Sequence, residues 1–231
     1  DSTFGYRLIT DELKEAHVVM GENRVHRLCR ENMLYSSIIR PKRGSGKTPG
    51  PAVHDDLIKR DFTASRVNEK WLLDITEHAT SSGKLYLCAI MDCSSRRIVG
   101  YSLDARMKSS LAVNALRHAV NAREPVNTIV HSDRGSQFRS KDFTSELTKN
   151  GLRGSMGRVG AAGDNAAMES FFALLQKNVL NRQRWETRED LRLEIVYWIE
   201  ATYHRRRRKA ALGNLTPIEF ERIQELAATA A

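Results

Sequence analysis

Asp74, Asp133 and Glu169 are the residues of this 231-residue sequence whose type and setting best fit chemistry. Asp74 interrupts an apolar run, WLLDIT, between Leu73 and Ile75. A charge there is costly if buried and unpaired. Asp133 follows a short apolar stretch in IVHSDRGSQF, and sites in α/β sheets collect at the carboxyl ends of parallel strands. Glu169 lies 35 intervening residues later, in DNAAMESFF. Singly, each acid has an ordinary reading: an edge-strand residue facing water, a turn cap before Arg134-Gly135, an exposed helix acid. Together, carboxylates from two neighbouring strands and one helix can converge. Three such groups do not all stay ionised without a counter-charge. Hard oxygen donors favour Mg²⁺ or Mn²⁺ over zinc. Two such ions about 4 Å apart would activate a water or hydroxyl at a phosphodiester and stabilise the leaving oxygen.

The elements that must position these acids are legible in the pattern. Residues 71–76, 85–92 and 97–103 read as three short strands joined by turns at Ser81-Ser82-Gly83 and Ser94-Ser95. A helix is expected over 108–122, a buried strand over 127–131, and a helix over 141–150 stopped at Gly151. Residues 152–156 read as a fifth strand. Arg158 to Gly163 reads as a mobile loop, and Asp164 as the cap of a long helix over 165–180. Two more helices are expected, over 188–203 and 217–228, the last with Thr216 as cap and Pro217 in its first turn.

Before the strands, Thr10 reads as the cap of a helix starting at Asp11. Asn23 opens a second helix, with Val25, Leu28, Cys29 and Leu34 apolar and Arg24, Arg27 and Arg30 basic. Two helices joined at Gly21 suggest a helix-turn-helix-like unit, with a plain helical hairpin equally open. RPKRGSGKTPGP (40–51) holds three prolines, three glycines, four basic residues and no acid. It reads as a linker, with Lys42, Arg43 and Lys47 able to lie along a phosphate backbone. The expected organisation is 1–40 helical, 41–66 basic linker, 67–182 catalytic core, and 183–231 a helical basic extension.

Lys and Arg number 37 against 28 acids, a net charge of +9 that suits a polyanion partner. Hydrophobic residues at 41% and charged residues at 28% are globular proportions and exclude wholesale disorder. The longest apolar run, Leu85 to Met91, is too short to span a membrane as a helix. Three cysteines make neither a disulfide framework nor a zinc module, so a reducing, cytosolic compartment is expected. The start shows no secretory signal and no Met, so an upstream segment is expected.

The motifs carry a resemblance. YRLITDEL, WLLDIT, YLCAIMDCSSRRIVGY, HSDRGSQF, GDNAAMESFF and LGNLTPIEF, in that order along nearly the whole chain, resemble OrfB-type insertion-sequence transposases of the DDE superfamily, which includes retroviral integrases. The resemblance, with the order of elements, implies an α/β, RNase H-like fold: a mixed five-stranded sheet with flanking helices, a helical N-terminal region and C-terminal helices. It implies Asp74, Asp133 and Glu169 as catalytic residues and metal ligands for two Mg²⁺ or Mn²⁺ ions. The expected reaction is cleavage at the element's ends, then attack of the freed 3′-hydroxyl on target DNA. The expected partners are double-stranded DNA, as terminal inverted repeats and target, and further copies of the chain, at least a dimer, in the bacterial cytoplasm. Three departures stand out. Leu73 replaces a polar residue, SMGRVGAAGDNA replaces a pattern like SMSRKGNCYDNA, and Tyr203-His204 replaces Tyr-Asn.

Around the triad, Asn165 sits one helical turn before Glu169 and reads as its support or as a helix cap. Arg134 and Gln137 beside Asp133, Arg158 in the loop, and the run Arg205, Arg206, Arg207 and Arg208 are candidate DNA contacts. Asp92 reads as structural. Phe171, Leu175, Trp185, Tyr197 and Trp198 read as packing. Three rival functions remain open: a nuclease that cuts without joining, a DNA-binding regulator or inactive remnant, and an assembly subunit that acts only with a partner chain.

Overall fold

The computed structural model describes residues 6–34, 50–157 and 166–229. The chain divides into two compact units, 1–48 and 49–231.

The first unit holds α1 (Tyr6–Glu15) and α2 (Glu22–Glu31). Arg7 Nε donates to Glu22 Oε1 at 2.8 Å, and the Tyr6 and His26 rings meet at 4.6 Å, joining the two helices. Val25 and Cys29 are the buried positions of α2, one helical turn apart. Two expectations fail here. Thr10 is no cap, because α1 begins earlier, and its hydroxyl instead donates back to the Tyr6 carbonyl at 2.7 Å. Leu34 lies past the end of α2 and is exposed.

The second unit is built on a five-stranded sheet: β1 (Lys70–Thr80), β2 (Gly83–Asp92), β3 (Ile98–Asp104), β4 (Ile129–Ser132) and β5 (Arg153–Met156), in the order β3-β2-β1-β4-β5. The first three run antiparallel, while β4 and β5 run parallel to β1. The antiparallel strands carry on past the expected ends, because the β1–β2 register continues unbroken to Thr80 and Gly83.

Alternation along β1 divides its side chains between two cores. Trp71 and Leu73 pack with α3 (Ser109–Arg123) and α4 (Lys141–Lys149), through residues such as Leu116 and Leu147. Leu72, on the other face, packs with α5 (Ala166–Asn178) and α6 (Arg188–Tyr197), through Phe171 and Ile195. Asp74 shares the face of Leu72 by this alternation. β3 can lie close to α3 because residue 100 is glycine: a Cβ there would meet the Ala115 carbonyl oxygen at 2.5 Å.

Ser140 caps α4, accepting from the Phe143 N–H, and Gly151 takes φ 64 just after it. Thr216 caps α7 (Pro217–Thr229) in a reciprocal arrangement: Thr216 N–H donates to Glu219 Oε2, and Glu219 N–H donates to Thr216 Oγ1. α6 runs on as a π-helical stretch, Trp198–Tyr203. Phe171, Leu175 and Trp198 are core, as expected, but Tyr197 is 58% exposed, because the helix turns it away from the sheet.

Residues 50–66, read as part of a linker, lie on the core. Ile58 is buried there, Met156 N–H donates to the Asp55 carbonyl, and Leu57 N–H donates to Ser155 Oγ. This segment covers the free edge of β5, which would otherwise offer unpaired backbone groups. No helix among the described residues is long and apolar enough to cross a membrane.

Candidate functional site

The register of the parallel pair brings the first two acids together. Leu72 lies opposite His131, so continuing two residues sets Asp133, just past the end of β4, level with Asp74. Glu169 stands in the first turn of α5, the helix that packs over this face. Met168 and Phe171 are wholly buried on either side of it, which leaves Glu169 exposed at the rim.

Each aspartate is held by one backbone donor. Ile75 N–H donates to Asp74 Oδ1 at 2.7 Å, and Gly135 N–H donates to Asp133 Oδ1 at 2.8 Å. A Cβ at residue 135 would stand 2.9 Å from that Oδ1, so glycine keeps the carboxylate uncrowded. The loop is pinned by Arg134 Nε donating to the Gly157 carbonyl and Arg139 Nε donating to the Arg134 carbonyl. Among the described residues, neither aspartate's Oδ2 nor the Glu169 carboxylate has a hydrogen-bond or ion-pair partner.

Burial pushes the Asp74 carboxyl up to about 6. The Ile75 N–H works against this, while the Asp133 and Glu169 carboxylates add to it. The three acids are thus within electrostatic reach of one another. They do not close into a tight group: among the described residues, no three His, Cys, Asp or Glu side chains could hold an ion as they stand. The donor set itself suits a hard divalent cation, being all carboxylate oxygen with acceptor positions free.

The other expected site residues divide into several groups. Arg24, Arg27 and Arg30 are exposed on α2, with Arg27 3.7 Å from Glu31. Gln137 donates to the Met107 carbonyl, a bond within the fold. Arg205, Arg206 and Arg207 are exposed, but Arg208 is engaged by Glu219 and the Asn214 carbonyl. Lys42, Arg43, Lys47, Arg158 and Asn165 lie outside the described residues, as do the Arg158–Gly163 loop and the Asp164 cap. Asp92 is structural as expected: fully buried, it accepts from the backbone N–H groups of Asn68, Ser94 and Ser95.

Comparison with known proteins agrees with this frame. Residues 64–162 and 150–217 each match the integrase core domain family, and residues 1–43 match a HTH-like domain family. The transposase InsF for insertion sequence IS3A, from Escherichia coli K12, is 37% identical over 220 residues, covering 94% of this chain and 76% of the relative. The chain belongs to the IS3-family DDE transposases. A second relative, the insertion element IS600 uncharacterized 31 kDa protein of Shigella sonnei, is 35% identical over 98% of this chain and 84% of its own.

The fold of the transposase is that of retroviral integrases. The HTLV-2 integrase catalytic core domain, solved in complex with magnesium, superposes with TM-score 0.50 at 16% identity over 67% of this chain and 94% of that one. A chain of the simian T-cell lymphotropic virus intasome, solved in complex with PP2A regulatory subunit B56 gamma, gives TM-score 0.57 at 16% identity over 92% of this chain and 73% of that one. The transposase is a polynucleotidyl transferase of DNA transposition, a class that uses divalent metal and binds DNA.

Sequence reasoning missed one set of buried residues. Glu221 of α7 receives Arg123 Nη2 at 2.6 Å, Arg97 Nη1 at 2.6 Å and Ser95 Oγ at 2.7 Å. These partners lie far away in the chain, and no local pattern marks them.

Proposed function

We propose that Asp74, Asp133 and Glu169 are the catalytic carboxylates of this transposase, that they hold two Mg²⁺ or Mn²⁺ ions, and that the chain cuts insertion-sequence ends and joins them to target DNA. The observation that carries this reading is the strand register that sets Asp133 level with Asp74 under the first turn of the helix bearing Glu169. Bound divalent cations supply activation of water or a 3′-hydroxyl and stabilisation of the leaving oxygen. The protein supplies position. Backbone N–H groups of Ile75 and Gly135 orient the two aspartates, and the buried flanks of Glu169 fix where α5 presents it. No side chain forms a bond to DNA, because water and a DNA hydroxyl are the nucleophiles.

Duplex DNA is the substrate, as element ends and target. Arg24, Arg27 and Arg30 of the N-terminal helical unit, and Arg205, Arg206 and Arg207 of the C-terminal run, supply backbone contacts. By residue type and place in the sequence, Lys42, Arg43, Lys47 and Arg158 are further candidates for phosphate contact, and Asn165 is the candidate support for Glu169. Two ends must be held together, so the working form is at least a dimer, in the bacterial cytoplasm.

The test is a joining assay with a duplex carrying a pre-cut 3′-hydroxyl end and a plasmid target, in Mg²⁺, Mn²⁺ or EDTA. The expected result is joined product that disappears in EDTA and in Glu169→Gln. Cutting without joining would favour a nuclease. DNA binding with neither reaction would favour a regulator.

A further inference from the structure

Arg96, in the turn from β2 into β3, and Arg207 are both within electrostatic reach of Lys209. Tyr203, wholly buried at the end of the π-helical stretch, donates its O–H to the Arg96 carbonyl at 2.9 Å. The Lys209 ammonium lies over the same ring, 4.4 Å from its centroid. Arg96 Nη1 is buried without a hydrogen-bond partner. Of the neighbouring cations, Arg97 and Arg123 are matched by Glu221, and Arg208 by Glu219. Among the described residues, Arg96, Arg207 and Lys209 have no acid.

That arrangement is unfavourable in isolation. Burial, with Arg96 and Arg207 adding to it, pushes the Lys209 ammonium down to about 8. Arg96 and Lys209 are half-buried and Arg207 beside them is exposed, and a like-charged set with an orphaned guanidinium N–H calls for an anion. Arg is suited to phosphate, and a desolvated ammonium beside it adds a point charge.

We infer that Arg96, Arg207 and Lys209 form a built site for a phosphate group of the DNA backbone, one that anchors the duplex beside the carboxylates. The inference rests on the DNA reading above and specifies where one strand is held. The location suits that use. Asp92, at the start of the turn carrying Arg96, is paired with Trp71, three residues before Asp74 on β1. That is about 10 Å along the strand, or about three base-pair rises of a duplex. The site also sits on the face of the sheet that α5 covers: the Tyr203 ring meets Phe171 edge-on at 4.9 Å, and Phe171 is two residues beyond Glu169.

The experiment is duplex binding by the full chain, followed by fluorescence anisotropy over a series of salt concentrations. Removing one protein–phosphate interaction lowers the slope of log K against log salt by about 0.9. Lys209→Gln, Arg207→Gln and Arg96→Asn are each expected to lower the slope by about one; Asn is chosen because Arg96 has φ 58. Arg208→Gln, whose charge Glu219 already meets, is expected to leave the slope unchanged. Thermal melting of each DNA-free variant is run alongside. Lys209→Gln is expected to melt no lower than the parent, because it relieves like-charge crowding. A parental slope in Lys209→Gln and Arg207→Gln would overturn the site while leaving DNA binding intact. A Lys209→Gln variant that melts lower and binds more weakly with the slope unchanged would assign the lysine to packing, and also overturns it. A parent chain without salt-dependent duplex binding would overturn the DNA reading itself.

Discussion

Phe171 and Tyr203 meet edge to face with ring centroids 4.9 Å apart, and both are wholly buried. Phe171 belongs to the helix that carries Glu169, and Tyr203 closes the helical stretch of the C-terminal extension. Trp198 joins the pair at 5.9 Å from Phe171 and 5.5 Å from Tyr203. The extension is therefore the support on which the Glu169 helix rests, and the core carboxylates depend on residues well beyond the last of them.

Tyr203→Ala should destabilise the chain by about 3–5 kcal/mol, the usual cost of deleting a buried aromatic ring. Tyr203→Phe should cost about 1 kcal/mol, the hydrogen bond to the Arg96 carbonyl. Urea unfolding measures both. Strand joining should survive in Tyr203→Phe and fall sharply in Tyr203→Ala, because only the latter leaves α5 unsupported.

Glu221 is the buried counter-charge that fastens α7 to the sheet. Its burial works to raise the carboxyl, but hydrogen bonds and charge from Arg123, Arg97 and Ser95 outweigh it and hold the group below the ordinary value of 4.5. Glu221→Gln should cost about 3 kcal/mol or more, because two guanidinium groups lose their partner. A depressed carboxyl pKa contributes stability that is present above the unfolded value and lost as pH falls through the folded one. The gap in stability between parent and Glu221→Gln should therefore be full at neutral pH and shrink below about pH 4.5. Asp92 titrates with the opposite sign, raised first by its own burial and also by the Glu221 charge, so part of its contribution stays in the difference and works against the shrinkage. A gap that stays constant into acid would refute the pairing.

Gly100→Ala should destabilise the fold by about 1–3 kcal/mol. The added Cβ would meet Ala115 O at 2.5 Å, Ala119 Cβ at 2.6 Å and Ala119 N at 2.7 Å. Two of these are helix backbone, which cannot swing aside as a long side chain could. A melting temperature equal to that of the parent would show that α3 shifts freely off β3.

Asp74→Asn should abolish joining while leaving the metal-free chain as stable as the parent or more so, by about 1 kcal/mol. It removes a half-buried charge that faces two other carboxylates. Added Mg²⁺ should raise the melting temperature of the parent and leave that of the variant unchanged. Equal Mg²⁺ responses in both would remove Asp74 from the ligand set.

Most of the sheet and its helices are legible along the chain, because their signals are local. Short runs bounded by turn signals mark β1, β2 and β3, Gly151 marks the end of α4, and Thr216-Pro217 marks the start of α7. The pattern misleads where a residue type serves two purposes. Threonine caps helices and also bonds back within them, and Thr10 does the second. A segment rich in proline and glycine suggests a spacer, yet the residues just after it follow the β5 edge and bury Ile58. Tyr197 is apolar enough for a core, but the turn of α6 faces it outward.

The sequence by itself determined the order of elements, the three acids and their settings, and the basic character of the chain. Residue type and short-range periodicity are written along the chain, and these features depend on nothing else. Only the tertiary structure decided which charges are spent and which are free. Arg208 and Arg207 are neighbours in one run, yet Glu219 meets the first and nothing described meets the second. Arg96 and Lys209 lie more than a hundred residues apart and are joined through Tyr203. Pairing and crowding of charge are long-range contacts, fixed by how the helices close over the sheet, and no local pattern encodes them.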